Sequence, residues 1–129
     1  MTWLLFASGP LPWSADHRDA ATSRLTPEPF SIEVDVGPGT TTVVIAGELD
    51  LQTMPLLAER LALIRRGKPG RLVFDMARTG FMDCGSARLI AATGRWLPPG
   101  RRPVVRRPAA AVRRVLELTG LDACCEIEC

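Results

Sequence analysis

Four consecutive residues, Asp83-Cys84-Gly85-Ser86, place a carboxylate, a thiol and a hydroxyl on one short stretch. A thiol or hydroxyl beside a carboxylate suggests a nucleophile, but covalent catalysis also needs a base to activate it. The single histidine, His17, stands near the start of the chain and offers none to this stretch. A cysteine at a helix N-terminus can have a depressed pKa; here a small residue turned into the core is the expected role of Cys84. Glu48 and Asp50 stand two apart in a connector and read as solvated carboxylates rather than an acid–base pair. Neither G-x-x-x-x-G-K-[ST] nor G-x-G-x-x-G occurs, so no glycine-rich phosphate loop is present. What the stretch does offer is a capped helix start. The Asp83 carboxylate can accept the free N–H groups of a first turn formed by Cys84, Gly85 and Ser86. The positive end of the helix dipole then faces outward, favourable to an anion such as a phosphate.

The elements around this turn follow from pattern. Phe30-Ser31-Ile32-Glu33-Val34-Asp35-Val36 alternates apolar and polar as a half-buried strand does. Gly37-Pro38-Gly39 turns the chain into the β-branched run from Thr41 to Ala46, and the two strands predict a hairpin. Gly47-Glu48-Leu49-Asp50-Leu51-Gln52-Thr53 is a connector, with Thr53 the expected N-cap and Pro55 in the first turn of the next helix. That helix carries Leu57, Leu61 and Ile64 on one stripe and ends at Gly67. A strand over Arg71 to Met76 leads to Asp83, where a second helix runs to about Leu97. A short strand at Pro103 to Arg106, a third helix with Val112, Val115 and Leu116 on one face, a left-handed cap at Gly120, and a last strand at Cys125 to Glu128 complete the chain.

The order β-β-α-β-α-β-α-β implies crossover connections. The expected fold is a single α/β domain with a mostly parallel four- to five-stranded sheet, an N-terminal hairpin and three main helices packing it. The Asp83 junction falls at the carboxyl end of the central strand, where open α/β sheets place functional loops. Residues 29–129 form this domain. Residues 1–28, rich in Pro, Ser, Thr and Ala without a sustained period, read as a flexible extension.

With 129 residues there is one core, not two. A formal charge of +2 points to no class of partner. Arginine pairs recur at Arg65-Arg66, Arg101-Arg102, Arg106-Arg107 and Arg113-Arg114, but acidic residues are mixed among them and aromatics are few, so a solvated surface is expected rather than direct nucleic-acid binding. Arg113-Arg114 lies on the outer side of the third helix and can serve a protein partner. Cys84, Cys124, Cys125 and Cys129 include no C-x-x-C pair, which argues against a zinc site or a disulfide scaffold and for a reducing, cytoplasmic setting. The vicinal Cys124-Cys125 reads most simply as packing at a strand entrance. The apolar start, Met1 to Ala7, is too short to span a membrane.

Four segments, Gly47-Glu48-Leu49-Asp50-Leu51, Val73-Phe74-Asp75, Phe81-Met82-Asp83 and Val112 through Leu121, come in an order and spacing that resembles the STAS domain family, and within it the bacterial anti-sigma factor antagonists. The resemblance spans about residues 30–128. It implies a non-catalytic protein without cofactor or metal, monomeric or weakly dimeric, away from the membrane. Its partner would be an anti-sigma factor that is also a serine kinase of the histidine-kinase-like ATPase type. The unphosphorylated antagonist binds that kinase and frees a sigma factor, so transcription is regulated by partner switching. Phosphorylation of a serine at the start of the second helix breaks the complex. The resemblance places partner contacts at Asp50, Asp83, Cys84, Gly85, Ser86 and Arg88. The family reads Asp-Ser-Ser-Gly or Asp-x-Ser-Gly where this chain has Asp83-Cys84-Gly85-Ser86, so Gly85 occupies the acceptor position. Either Ser86 accepts the phosphate one position later, with Thr79 as a backup, or the domain is not phosphorylated here. A one-residue shift turns a helical side chain by about 100°, which favours the second reading. The alternative function is a STAS binding module without a kinase, in a transport or signalling assembly. A redox sensor built on Cys84 or the C-terminal cysteines is a third reading.

Overall fold

The computed structural model describes residues 2–6 and 28–129. The β-branched and alternating runs form strands and the amphipathic runs form helices, giving one six-stranded sheet. Its strands are β1 (Thr2–Phe6), β2 (Ser31–Val36), β3 (Thr40–Leu49), β4 (Arg71–Met82), β5 (Val104–Arg106) and β6 (Glu126–Glu128). The helices are α1 (Met54–Arg66), α2 (Cys84–Ala92) and α3 (Ala110–Thr119), with short 3-10 turns at Thr93–Arg95 and Leu121–Cys124.

Strands lie in sequence order across the sheet. β1–β2 and β2–β3 are antiparallel, the latter being the expected hairpin, and β3–β4, β4–β5 and β5–β6 are parallel. The five strands from Ser31 onward and the three helices match the architecture read from the sequence. β1 is an addition: its backbone pairs Thr2 with Asp35 through Phe6 with Ser31, inside the segment assigned to a flexible extension. Met1 and residues 7–27 of that extension lie outside the described residues.

Sequential parallel strands joined by right-handed crossovers put every connecting helix on one face. The core is accordingly one layer between helices and sheet. Ile32, Val34, Val43, Ile45, Leu72, Phe74, Met76 and Val105 supply it from the strands, and Leu57, Leu61, Ile64, Ile90, Val112 and Leu116 from the helices. At period two, the opposite face takes the intervening residues. There Glu128 binds both Arg71 (2.8 Å) and Arg106 (3.0 Å), tying β4, β5 and β6 together. The Arg106 hydrogen bond, with both arginine charges, holds the Glu128 carboxyl below its ordinary range despite some desolvation. Asp75 pairs with Arg107 on the same side.

Three local expectations change. α2 does not run to about Leu97 but ends at Ala92, with the 3-10 turn over Thr93–Arg95 after it. β4 does not stop at Met76 but continues to Met82, because β3 also runs on to Leu49 and the two remain paired through register shifts between Val44 and Ala46 and between Gly47 and Glu48. Thr53 does not cap α1 with its side chain. Asp50 and Thr53 order the turn ahead of the helix instead: the Asp50 Oδ1 accepts from the N–H groups of Gln52 (2.9 Å) and Thr53 (3.1 Å), while the Thr53 hydroxyl accepts from Asp50 N–H (2.9 Å) and donates to the Glu48 carbonyl (2.8 Å). A three-residue turn is thereby locked before the helix begins. No helix among the described residues is long and apolar enough to cross a membrane.

Candidate functional site

Parallel neighbours β3 and β4 end side by side, with Glu48 opposite Phe81 and Leu49 opposite Met82. A backbone bond from Asp83 N–H to the Leu49 carbonyl (3.0 Å) extends the pairing past the last strand residue. The chain after β3 therefore emerges beside the chain after β4, and the N-termini of α1 and α2 stand together. The contact is direct: a Cβ placed on Gly85 would lie 3.7 Å from the Met54 sulfur.

Asp83 caps α2 as its sequence predicts. Its backbone is extended, and its carboxylate accepts the Ser86 N–H at 2.7 Å. This fixes how the next three side chains are aimed. Cys84 and Gly85 face solvent, whereas Ser86 is 0% exposed, its hydroxyl 3.4 Å from the Leu49 carbonyl. One expectation is overturned here. Cys84 is not the small residue turned into the core; Ser86 and Ala87 are, because the helix needs its inward face at those positions. The Ser86 hydroxyl, the candidate acceptor, lies beneath the junction in this conformation. Thr79, the backup candidate, lies within β4 rather than in a loop, is 0% exposed, and donates to the Ile45 carbonyl at 2.8 Å.

Of the remaining residues singled out by the sequence, Asp50, Asp83, Cys84, Gly85 and Arg88 all lie along this edge. Asp50 is half-buried and committed to its turn, Asp83 is half-buried and committed to its helix, and Arg88 is exposed one turn further along α2. Two residues of the edge were passed over as contacts. Leu51 is 78% exposed at the tip of the turn that Asp50 holds, and Phe81 is 45% exposed at the end of β4. The signal was present in each case: a large apolar side chain where a polar connector would leave it unburied. Leu51 lies on the turn between β3 and α1, and Phe81 two residues before the Asp83 cap of α2, so both stand on the segments that lead into the two helix N-termini. Large exposed apolar groups set on rigid backbone mark protein interaction surfaces more often than catalytic ones.

Residues 32–127 match the sequence profile of a family described as Mlab, STAS domain. The chain is 27% identical over 96 residues to the anti-sigma-F factor antagonist RsfB of Mycobacterium tuberculosis, covering 74% of this chain and 79% of RsfB. Its structure is similar to the crystal structure of an anti-sigma factor antagonist from Mycobacterium paratuberculosis, with TM-score 0.69 and 28% identity over 80% of this chain and 88% of the other. It also shares the fold of the anti-sigma factor antagonist SpoIIAA in its unphosphorylated form, at TM-score 0.65 and 20% identity over 76% and 88% of the two chains.

Proposed function

This chain belongs to the STAS domain family, and we propose that it acts as an anti-sigma factor antagonist, binding an anti-sigma factor and so freeing a sigma factor. The observation that carries the reading is the exposure of two large apolar side chains, Leu51 and Phe81, on the segments that lead from β3 and β4 into the N-termini of α1 and α2. The similarity to mycobacterial antagonists supports the choice of partner class. Contact is made by Leu51, Phe81, Cys84 and Gly85, with Arg88 at the margin. Asp50 and Asp83 act by holding the two turns in place. The partner is of the serine-kinase type, and the chain itself performs no catalysis.

In this reading the phosphate switch does not operate at α2. Gly85 has no acceptor oxygen, and the Ser86 hydroxyl is buried. A phosphoryl group adds about −1.5 to −2 charges at neutral pH. Such a group beside Asp83, inside a desolvated contact, would oppose binding; without an acceptor the antagonist stays competent to bind. The complex is then governed by the amounts of the two proteins.

The test pairs binding with mass. Isothermal titration of the anti-sigma factor encoded in the same genome should give a complex that Leu51→Asp weakens by at least about tenfold, as burial of an unpaired charge at an interface centre requires. Intact mass after incubation with ATP should show no added phosphate. Phosphate gained by the wild type and lost in Ser86→Ala would restore a shifted switch and overturn the second half of the reading. Absence of binding would favour a STAS module in a transport or signalling assembly.

A further inference from the structure

Beside the Cys84-Gly85 turn, a groove of about 850 Å3 runs between α2 and the Leu121–Cys124 turn. Its walls carry Arg88, Arg95, Arg101 and Arg102, contributed by α2, the 3-10 turn after it and the loop before β5. Leu89 and Leu121 supply apolar floor, and no Asp or Glu lines it. Elsewhere several arginines have acidic partners: Arg71 and Arg106 share Glu128, Arg78 pairs with Glu28, Arg107 with Asp75 and Arg113 with Glu117, whereas among the described residues Arg65, Arg66 and Arg114 have none but line no common cavity with one another. Among the described residues Arg88, Arg95 and Arg101 have no such ion pair. Arg102 is anchored by one hydrogen bond, from Nη1 to the Ala123 carbonyl at 3.1 Å, which leaves further donors of its fork unused. Concentrating like charges around a concavity is unfavourable unless an anion is received there, and a cleft with apolar walls focuses the field.

We propose that this groove binds an extended acidic peptide segment of a protein partner, carboxylates against the arginine walls and apolar side chains on the leucine floor. The spread of the guanidinium groups over three segments suits a run of carboxylates better than one small anion. Single-stranded nucleic acid is the poorer match, because no aromatic ring lines the groove for bases to stack on. The inference does not depend on which partner the antagonist surface takes, although the groove begins at Gly85 and Met54 and so adjoins that surface.

Fluorescence anisotropy with a short labelled peptide of alternating glutamate and leucine tests it, using the full chain. Binding is expected, weakening several-fold as sodium chloride rises from about 50 to about 200 mM, since exposed charges are screened over that range. The double substitution Arg88→Glu with Arg101→Glu should weaken it by at least about tenfold, as should Arg95→Glu separately, with unchanged thermal melts because all three side chains are exposed. The lysine–leucine analogue should not bind. Failure of the acidic peptide to bind, or equal binding by folded variants, overturns the proposal. So does preference for an oligothymidylate, which would assign a nucleic-acid surface, or complete displacement by low millimolar inorganic phosphate, which would assign a simple anion site.

Discussion

At position 85 the absence of a side chain is itself consequential. A serine there would meet only ordinary contacts, Met54 Sδ at 3.7 Å and Asp83 Oδ1 at 3.8 Å from its Cβ, and its hydroxyl would stand in solvent. Gly85→Ser should therefore fold normally and gain one phosphate from a cognate kinase, read by intact mass. If a kinase that binds the variant leaves it unmodified, the reading of position 85 is wrong. Asp83 makes a separate prediction. Losing an N-cap carboxylate costs about 1 kcal/mol, so Asp83→Ala should lower the melting temperature by about 4 °C. Asp83→Asn, which keeps an acceptor for the Ser86 N–H, should recover most of that loss in a calorimetric scan.

Among the elements, the bulged pairing of β3 with β4 decides where the site stands. Gly47 sits at the bulge with φ +94°, and a Cβ there would come within 2.8 Å of Phe30 Cα and 2.9 Å of the Glu28 carbonyl. Backbone atoms cannot rotate away, so Gly47→Ala forces β3 from the segment entering β2. Gly120, with φ +74°, has nothing within 4 Å of its Cβ position and carries only the left-handed strain of about 1–2 kcal/mol. Chemical denaturation should rank Gly47→Ala clearly below Gly120→Ala, by more than about 1 kcal/mol. Equal losses would mean that the bulge relaxes freely.

Across the whole molecule, one helical layer on one sheet face sorts the cysteines. Cys84, Cys124 and Cys129 are exposed, while Cys125 is buried where the chain enters β6. Vicinal Cys124 and Cys125 thus divide, with only the second serving the packing role expected of both. Burial, aided by the charge of Cys124, pushes the Cys125 thiol from an ordinary 9.0 up to about 11. Iodoacetamide at neutral pH should label Cys125 last, as peptide mass spectrometry would show; early labelling would place that thiol outside the core. The sign for stability follows from proton counting. Between the unfolded value and the raised one, the folded state holds a proton that the unfolded state has lost, so stability falls as pH rises through about 9 to 11. Cys125→Ala should flatten that alkaline slope even though it loses core volume.

Much of this was legible along the chain. Period-two and helical spacing located the five strands from Ser31 and the three helices, because core-facing residues must repeat with the geometry of the element that carries them. Asp83 as a cap and Gly120 as a left-handed stop were readable because their roles are local, satisfied within a few residues. What tertiary structure alone decided was the direction and company of side chains. The continuation of β4 through Ala77-Arg78-Thr79-Gly80 depends on pairing with β3, more than thirty residues earlier, and so is invisible in a polar, glycine-bearing run. Whether Cys84 or Ser86 faces inward depends on the rotational setting of α2, fixed by the Asp83 cap and the stitch to Leu49. The arginine groove likewise assembles from segments whose charges, read in line, are diluted by their neighbours. A sequence states which groups are available and how each element repeats; the close approach of distant strands and helices determines which of those groups meet water, and which meet each other.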